Sequence, residues 1–391
     1  MSDALGTGST VKAIKMAPKI AYRNLFHDKV SLFVTLIGIV FAVVLVSVQS
    51  GLFQGARNKI AVVIDQVKDA DLWVVPIGTK SFDDPSLLTG REKFALLSTP
   101  GVAKVEEILV SFAAWRKPLG GKKSFILVGL DWVNGGLKPW NLSQGSVEEL
   151  MTPNSLAVDH FYFKDLGINA KGDHAEVNGQ NVQIAAVTER IRSFTTMPYA
   201  FTSLTRARAL TGTSPEQATY QLVKLAPGAD LETMRTRIAA RLPDTEVLTQ
   251  PEFRTRSIRY WLFNTGAGGA LIGGLGLGII VGIVIVAQTL YANTKDHLNE
   301  FATLRALGAS ARYIHIVILI QAMLSAIIGF VIGYALTWGI IAATRHTTLT
   351  IVMTPQLTII LFVLTLAMCA LSAVGAILKV TRIDPAGVFS R

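Results

Sequence analysis

The sequence predicts a membrane α-helical fold, with four transmembrane helices and an α+β domain inserted between the first and the second on the extracytoplasmic side. Three observations carry this expectation. Half of the 391 residues are hydrophobic, 16% are charged and mean hydropathy is +0.44, values of an integral membrane protein with a sizeable aqueous part. Four apolar runs, 31–53, 261–290, 314–343 and 356–378, each reach the roughly 20 residues that cross a hydrocarbon core. The short flanks are asymmetric in charge. Five Lys/Arg precede the first run, three (Lys295, Arg305, Arg312) lie in 291–313 and three (Lys379, Arg382, Arg391) in the tail, against Arg345 alone in the loop 344–355. Cytoplasmic loops collect Lys and Arg, so both termini and 291–313 are expected in the cytoplasm and the domain 54–260 outside. Arg57, Lys59, Arg254, Arg256 and Arg259 oppose this on the outer side, but long domains translocate largely regardless of charge.

Residues 1–30 form the cytoplasmic N-terminal segment. After a small, polar start, Lys15, Lys19, Arg23 and Lys29 alternate with apolar residues, and Tyr22, Leu25 and Phe26 have i, i+3, i+4 spacing. This is an amphipathic helix in the membrane interface, with Phe26 towards lipid and the cations towards headgroups. The net charge of +10 is thus assigned to topology and contact with membrane lipids, and no nucleic-acid partner is expected. The first span, 31–53, is longer than a signal-peptide core and reads as an uncleaved anchor.

The domain 54–260 holds two strand–helix–strand passages. One runs from Asp71–Pro76 through a helix at Arg91–Leu97 to Val102–Phe112; the other runs from Tyr220–Leu225 through Asp230–Arg241 to Glu246–Leu248. Together they predict an α/β lobe over about 54–120 and 212–260. Between them, strands at Ser124–Asp131 and Pro198–Phe201 and a hairpin turning at Asn178-Gly179 predict a separate β-rich lobe over about 121–211.

The second span, 261–290, is rich in glycine. Gly269, Gly273, Gly274, Gly278 and Gly282 fall at small-xxx-small spacing, and Gly329 and Gly333 add a step in the third span, 314–343. Small residues let helix backbones approach closely in lipid, within one chain or between subunits. A short outer loop, 344–355, the fourth span, 356–378, and a cytoplasmic tail, 379–391, complete the chain.

The polar segment 291–313 separates the second and third spans. Leu298, Phe301 and Leu304 recur at helical spacing, Asp296, Asn299, Glu300 and Thr303 gather on another side, and Gly308 is placed to stop the helix.

No catalytic set accompanies these elements. The six histidines show no H-E-x-x-H spacing, G-x-S-x-G is absent, and Cys369 is the sole cysteine, which excludes an intramolecular disulfide and a cysteine metal cluster. Gly121-Lys122-Lys123-Ser124 mimics the end of a nucleotide-binding loop, but Arg116 replaces its first glycine. Neither metal nor cofactor is expected in this chain, and the span cores carry no charge to mark an ion path.

Three phrases carry a resemblance: Ala21–Lys29 (A-Y-R-N-L-F-H-D-K), Glu300–Ala309 (E-F-A-T-L-R-A-L-G-A) and Arg382–Pro385 (R-I-D-P). They resemble the FtsX-like permeases, the membrane subunits of MacB-type ABC systems, and the inserted domain is similar in architecture to the MacB-like periplasmic domain. The phrases D-L-W-V-V (71–75) and P-G-V-A-K-V (100–105), with the lack of a fused ATPase, look most like DevC-type permeases. The resemblance implies a non-catalytic, multi-pass subunit of the bacterial inner membrane that exports a glycolipid or another amphiphile. ATP and Mg would sit on a separate ABC ATPase, with a homodimeric permease, a periplasmic membrane-fusion adaptor and an outer-membrane channel completing the system. Asp296, Glu300, Phe301, Leu304, Arg305 and Gly308 would form the coupling helix on the ATPase, and the outer β lobe would meet the adaptor. Alternatives within the same scaffold are lipoprotein release and FtsX-like signalling to a cell-wall hydrolase.

Overall fold

The structure is a computed structural model that describes residues 18–19, 21–118, 120–297, 300, 303, 309–344, 347 and 350–380. The chain forms two compact units, one of the residues up to Gly55 together with those from Ala270 onwards, the other Ala56–Gly269. Helix α1 (Lys29–Ile60) leads into the second unit, whose elements are β1 (Leu72–Pro76), α2 (Arg91–Leu97), β2 (Val102–Arg116), β3 (Lys122–Leu130), β4 (Leu142–Gln144) and β5 (Ser155–Asp159). Then follow α3 (Phe163–Leu166), β6 (His174–Val177), β7 (Gln180–Thr188), β8 (Tyr199–Ser203), α4 (Leu204–Thr211), β9 (Tyr220–Leu225), α5 (Leu231–Arg241), β10 (Thr245–Leu248) and α6 (Gln250–Phe263). The chain closes with α7 (Gly266–Asp296), α8 (Ala311–Ala343) and α9 (Pro355–Val380).

Helices α1, α7, α8 and α9 are each long and apolar enough to cross a membrane. Asp28 starts α1, its Oδ1 accepting from the Val30 and Ser31 amides at 3.1 and 3.0 Å, and Ser310 does the same for α8 through the Tyr313 amide at 3.3 Å. The apolar run expected from 261 is divided. Helix α6 carries Trp261–Phe263, and α7 starts afresh at Gly266, where the Thr265 hydroxyl accepts from the Gly268 amide at 3.2 Å.

The register of side chains shows that α1 is the shared helix of this unit. It runs parallel to α8, with a Cβ on Gly329 meeting Ile39 and one on Gly333 meeting Val43. It runs antiparallel to α7, where Gln49 lies against Gly274 and Gly278, Ala42 and Val46 against Gly282, Gly38 against Thr289, and Thr35 against Asn293. Helices α8 and α9 are joined by the Phe330 and Phe362 rings, 5.0 Å apart, and by a 2.9 Å hydrogen bond between the Tyr334 and Thr358 hydroxyls.

In the other unit all ten strands belong to one mixed sheet, in the order β10-β1-β9-β2-β3-β8-β5-β7-β4, with β6 pairing β2 and β7. Where the sequence reading separates two lobes, hydrogen bonding runs unbroken through both, because the 15-residue β2 pairs with β9 along Val102–Ile108 and with β3 along Ile108–Arg116. The hairpin at Asn178-Gly179 forms with φ of +49° and +82°, the mirror-image turn that matches strand twist. All five residues of β1 are buried. Trp73 and Val75 face one core with Phe82, Tyr199, Tyr220 and Phe253; Leu72 and Val74 face another with Leu96 of α2 and Met234 and Ile238 of α5. Cover on both faces explains why Leu72–Val75 is an uninterrupted apolar run.

Candidate functional site

Two of the residues assigned to coupling, Asp296 and Glu300, are described where α7 ends. Asp296 is the last residue of α7 and is exposed, and Glu300 is exposed with Oε1 3.2 Å from His297 Nδ1. Phe301, Leu304, Arg305 and Gly308 lie outside the described residues, as does Lys15. Just inside the end of α7, Asn293 Nδ2 donates to Thr35 Oγ1 at 2.8 Å, tying it to the start of α1. One turn further in, a Cβ on Gly38 would stand 2.5 Å from Thr289 Oγ1, so the Thr289 side chain of α7 lies directly against the α1 backbone.

The N-terminal helix is built differently from the single apolar face expected of Tyr22, Leu25 and Phe26. Ala21 and Leu25 are buried, Ala21 against Tyr313 and Val317 at the start of α8, whereas Tyr22 and Phe26 are exposed with rings 4.6 Å apart. The reason is helical geometry: residues 21 and 25 share a stripe that α8 covers, and 22 and 26 fall one position round from it. Lys19, Arg23 and Lys29 are exposed, so the free surface combines an aromatic pair with cations.

The seven glycines singled out for helix packing divide into three groups. Gly282 sits against Met368 of α9 and against Val46 and Ala42 of α1, and Gly329 and Gly333 sit in closer seams against Ile39 and Val43. Gly274 and Gly278 accommodate Gln49, and Gly269 and Gly273 face open space. Three glycines of α1 that the sequence reading passed over are in equally close seams: Gly38, Gly51 against Ile351, and Gly55 against the Thr350 carbonyl, with the Val352 amide donating to Gly51 O at 3.0 Å. Gly51 and Gly55 have the same four-residue spacing, so the signal was present.

Two buried carboxylates of the other unit are held by internal partners. Asp83 is buried and accepts a 2.6 Å hydrogen bond from the Tyr199 hydroxyl; burial outweighs that bond and raises its carboxyl to about 6. Glu107, also buried, is held by Lys93, by Arg208 Nη2 at 3.1 Å and by Gln221 Nε2 at 3.2 Å. Neither lines a cleft with a second reactive group, and among the described residues no three His, Cys, Asp or Glu side chains gather to hold a metal ion. These groups hold the domain's loops and helices to its sheet.

The sequence matches two family models in tandem. The model of the MacB-like periplasmic core domain matches residues 32–241, more than half of the chain, and that of the FtsX-like permease C-terminal region matches 272–385. The chain belongs to the MacB-like family of ABC transporter permeases. As a MacB-like permease it carries four apolar helices and the inserted α/β domain of that family. Such permeases are generally non-catalytic and work with ABC ATPases and adaptors. Among solved structures, the periplasmic region of MacB from Actinobacillus actinomycetemcomitans aligns at 15% identity over 53% of this chain and 99% of its own, with a TM-score of 0.35. The extracellular domain of the transporter YknZ from Gram-positive bacteria aligns at 13% identity over 46% and 99%, with a TM-score of 0.34. A permease domain from Porphyromonas gingivalis aligns at 12% over 46% and 88%, with a TM-score of 0.32. No curated protein matches the sequence.

Proposed function

We propose that this MacB-like permease is the membrane subunit of an inner-membrane export system of the DevC type, driven by a separate ABC ATPase that holds the ATP and Mg. The observation that supports this reading most is the short polar segment between two bilayer-length helices. Its described members Lys295, Asp296 and Glu300 are exposed, while the helix that enters it is fastened to α1 by the Asn293–Thr35 bond and the Gly38 seam. A push on that segment is passed to a close-packed helix pair. In this reading both termini and the segment are cytoplasmic, the domain 54–260 is periplasmic and meets a membrane-fusion adaptor leading to an outer-membrane channel, and two copies pair as a homodimer. The cargo is a lipid or another amphiphile.

The test is a double substitution, Glu300→Ala with Arg305→Ala, in cells carrying the native ATPase. Membrane insertion and basal ATP hydrolysis persist and export is lost; unchanged export overturns the docking assignment. Mild-detergent purification with mass spectrometry of proteins and lipids supplies the partners. An ATPase together with an adaptor supports export, whereas an ATPase with a cell-wall hydrolase and no adaptor replaces it by signalling.

A further inference from the structure

A groove of about 500 Å3 opens between α5 and α6 in the inserted domain. Its apolar lining is Leu248 and Pro251, and above them stand Thr255 and three guanidinium groups, Arg235, Arg256 and Arg259, against one carboxylate, Glu252. Two of the arginines are oriented by neighbours. Arg235 Nη1 is 2.9 Å from Glu252 Oε1, and Arg256 Nη2 is 2.6 Å from Glu246 Oε2 while its Nη1 donates to the Thr79 carbonyl at 3.3 Å. Arg259 is exposed and joins no ion pair or hydrogen bond among the described residues. Arg235 is thus neutralised by Glu252, with Glu232 Oε1 a further 3.7 Å from its Nη1, and Arg256 by Glu246, so Arg259 is the guanidinium of this lining left to take an anion on two N–H groups at once.

What lies next to the groove in sequence decides the class of anion. Phe263 is one turn beyond Arg259 on the same face of α6 and is 69% exposed, Tyr260 and Trp261 flank them, and the apolar helix α7 starts at Gly266. Cations and aromatic rings immediately before a spanning helix mark the membrane–water interface. A free anion gains nothing from Leu248, Pro251 and Phe263, whereas an amphiphile gains from both ends.

We propose that the α5–α6 groove binds the anionic headgroup of a membrane lipid, a phosphodiester or carboxylate, anchored by Arg259 with its chains running along Phe263. This does not depend on the ATPase or the cargo.

The full-length chain in neutral maltoside detergent is titrated with short-chain phosphatidylglycerol, short-chain phosphatidylcholine and inorganic phosphate. The wild type binds phosphatidylglycerol about tenfold more tightly than phosphatidylcholine, the value of one charge-assisted bond. Arg259→Gln and Arg259→Glu abolish that preference. Lys122→Glu, the same charge change at an exposed residue of the distant strand β3, retains it. Equal loss in Arg259→Glu and Lys122→Glu reduces the effect to net charge and overturns the site. No headgroup preference in the wild type overturns it also. Inorganic phosphate that binds as tightly as phosphatidylglycerol overturns the lipid assignment in favour of a free anion.

Discussion

Asp83 gives the inserted domain a stability that falls as pH rises, and its replacement by asparagine should remove the fall. The carboxyl sits in the strap that follows β1, beneath Phe82, with the Tyr199 hydroxyl at 2.6 Å and the Tyr220 hydroxyl against the Phe82 carbonyl at 2.9 Å. Burial raises it from 3.8 to about 6. A carboxyl raised on folding takes up its proton more readily in the folded state, so stability is complete below the unfolded value of 3.8 and is lost as pH rises to about 6, remaining low above it. The shift corresponds to a cost of about 3 kcal/mol at pH 7 and roughly 1.6 kcal/mol at pH 5. Asp83→Asn keeps an oxygen for the Tyr199 hydroxyl and cannot ionise. The assay is urea unfolding of the full chain in detergent, followed by the near-ultraviolet signal of the Trp73, Tyr199 and Tyr220 cluster, at pH 5 and pH 7. Differences between wild type and variant cancel the other titrating groups. The variant should gain more at pH 7 than at pH 5, by about 1.3 kcal/mol. An equal gain at both values, or a loss at pH 7, refutes the assignment of Asp83 as a costly buried charge.

Two further predictions concern packing and buried charge. Gly329→Ala places a Cβ 2.5 Å from Ile39 and should destabilise the helix unit by roughly 1–3 kcal/mol, read as a lowered melting temperature in detergent, whereas Gly273→Ala faces open space and should leave it unchanged. Glu107→Ala strands Arg208 and Lys93 and should cost about 3 kcal/mol in urea unfolding, the lower end for a broken buried pair because Lys93 keeps 32% of its side chain exposed.

The reach of the sequence differs from one element to the next. Hydropathy alone located four helices, because a run such as 314–343 has no soluble alternative at that length. Periodicity and turn residues placed α2, α5 and the Asn178-Gly179 hairpin. The sequence does not announce strand β5 or helix α4: β5 is only Ser155–Asp159, buried throughout between β7 and β8, and its three apolar residues, Leu156–Val158, carry no period that separates strand from helix. The phrase Glu300–Ala309 carried the coupling assignment by its wording, a signal that says nothing of geometry. Asp83 was invisible for the opposite reason. Its surroundings, Tyr199 and Tyr220, are more than a hundred residues away, and no local pattern announces that a strap will fold over them. Glycine spacing marked contact faces without naming the neighbour, so Gly282 and Gly273 looked alike until one was found against Val46 and the other in the open.

That neighbour is chiefly α1, and this bears on how force crosses the helix unit. Contacts between α1 and α7 recur from Gln49–Gly274 through Val46–Gly282 and Gly38–Thr289 to Thr35–Asn293, so sliding of one along the other would drive side chains into backbones at several turns. Close-packed helix pairs resist such sliding and move together. On the docking proposed above, a push at Asp296 is carried by α1 and α7 as one body, although α7 is the least buried of the four apolar helices. Oxidative cross-linking tests this. With Cys369→Ser as background, Thr35→Cys and Asn293→Cys replace the 2.8 Å hydrogen bond by a disulfide, and export measured before and after reduction should be equal. Export that is blocked by the cross-link and restored by reductant means that α7 must move relative to α1 in every cycle, and the rigid-pair account fails.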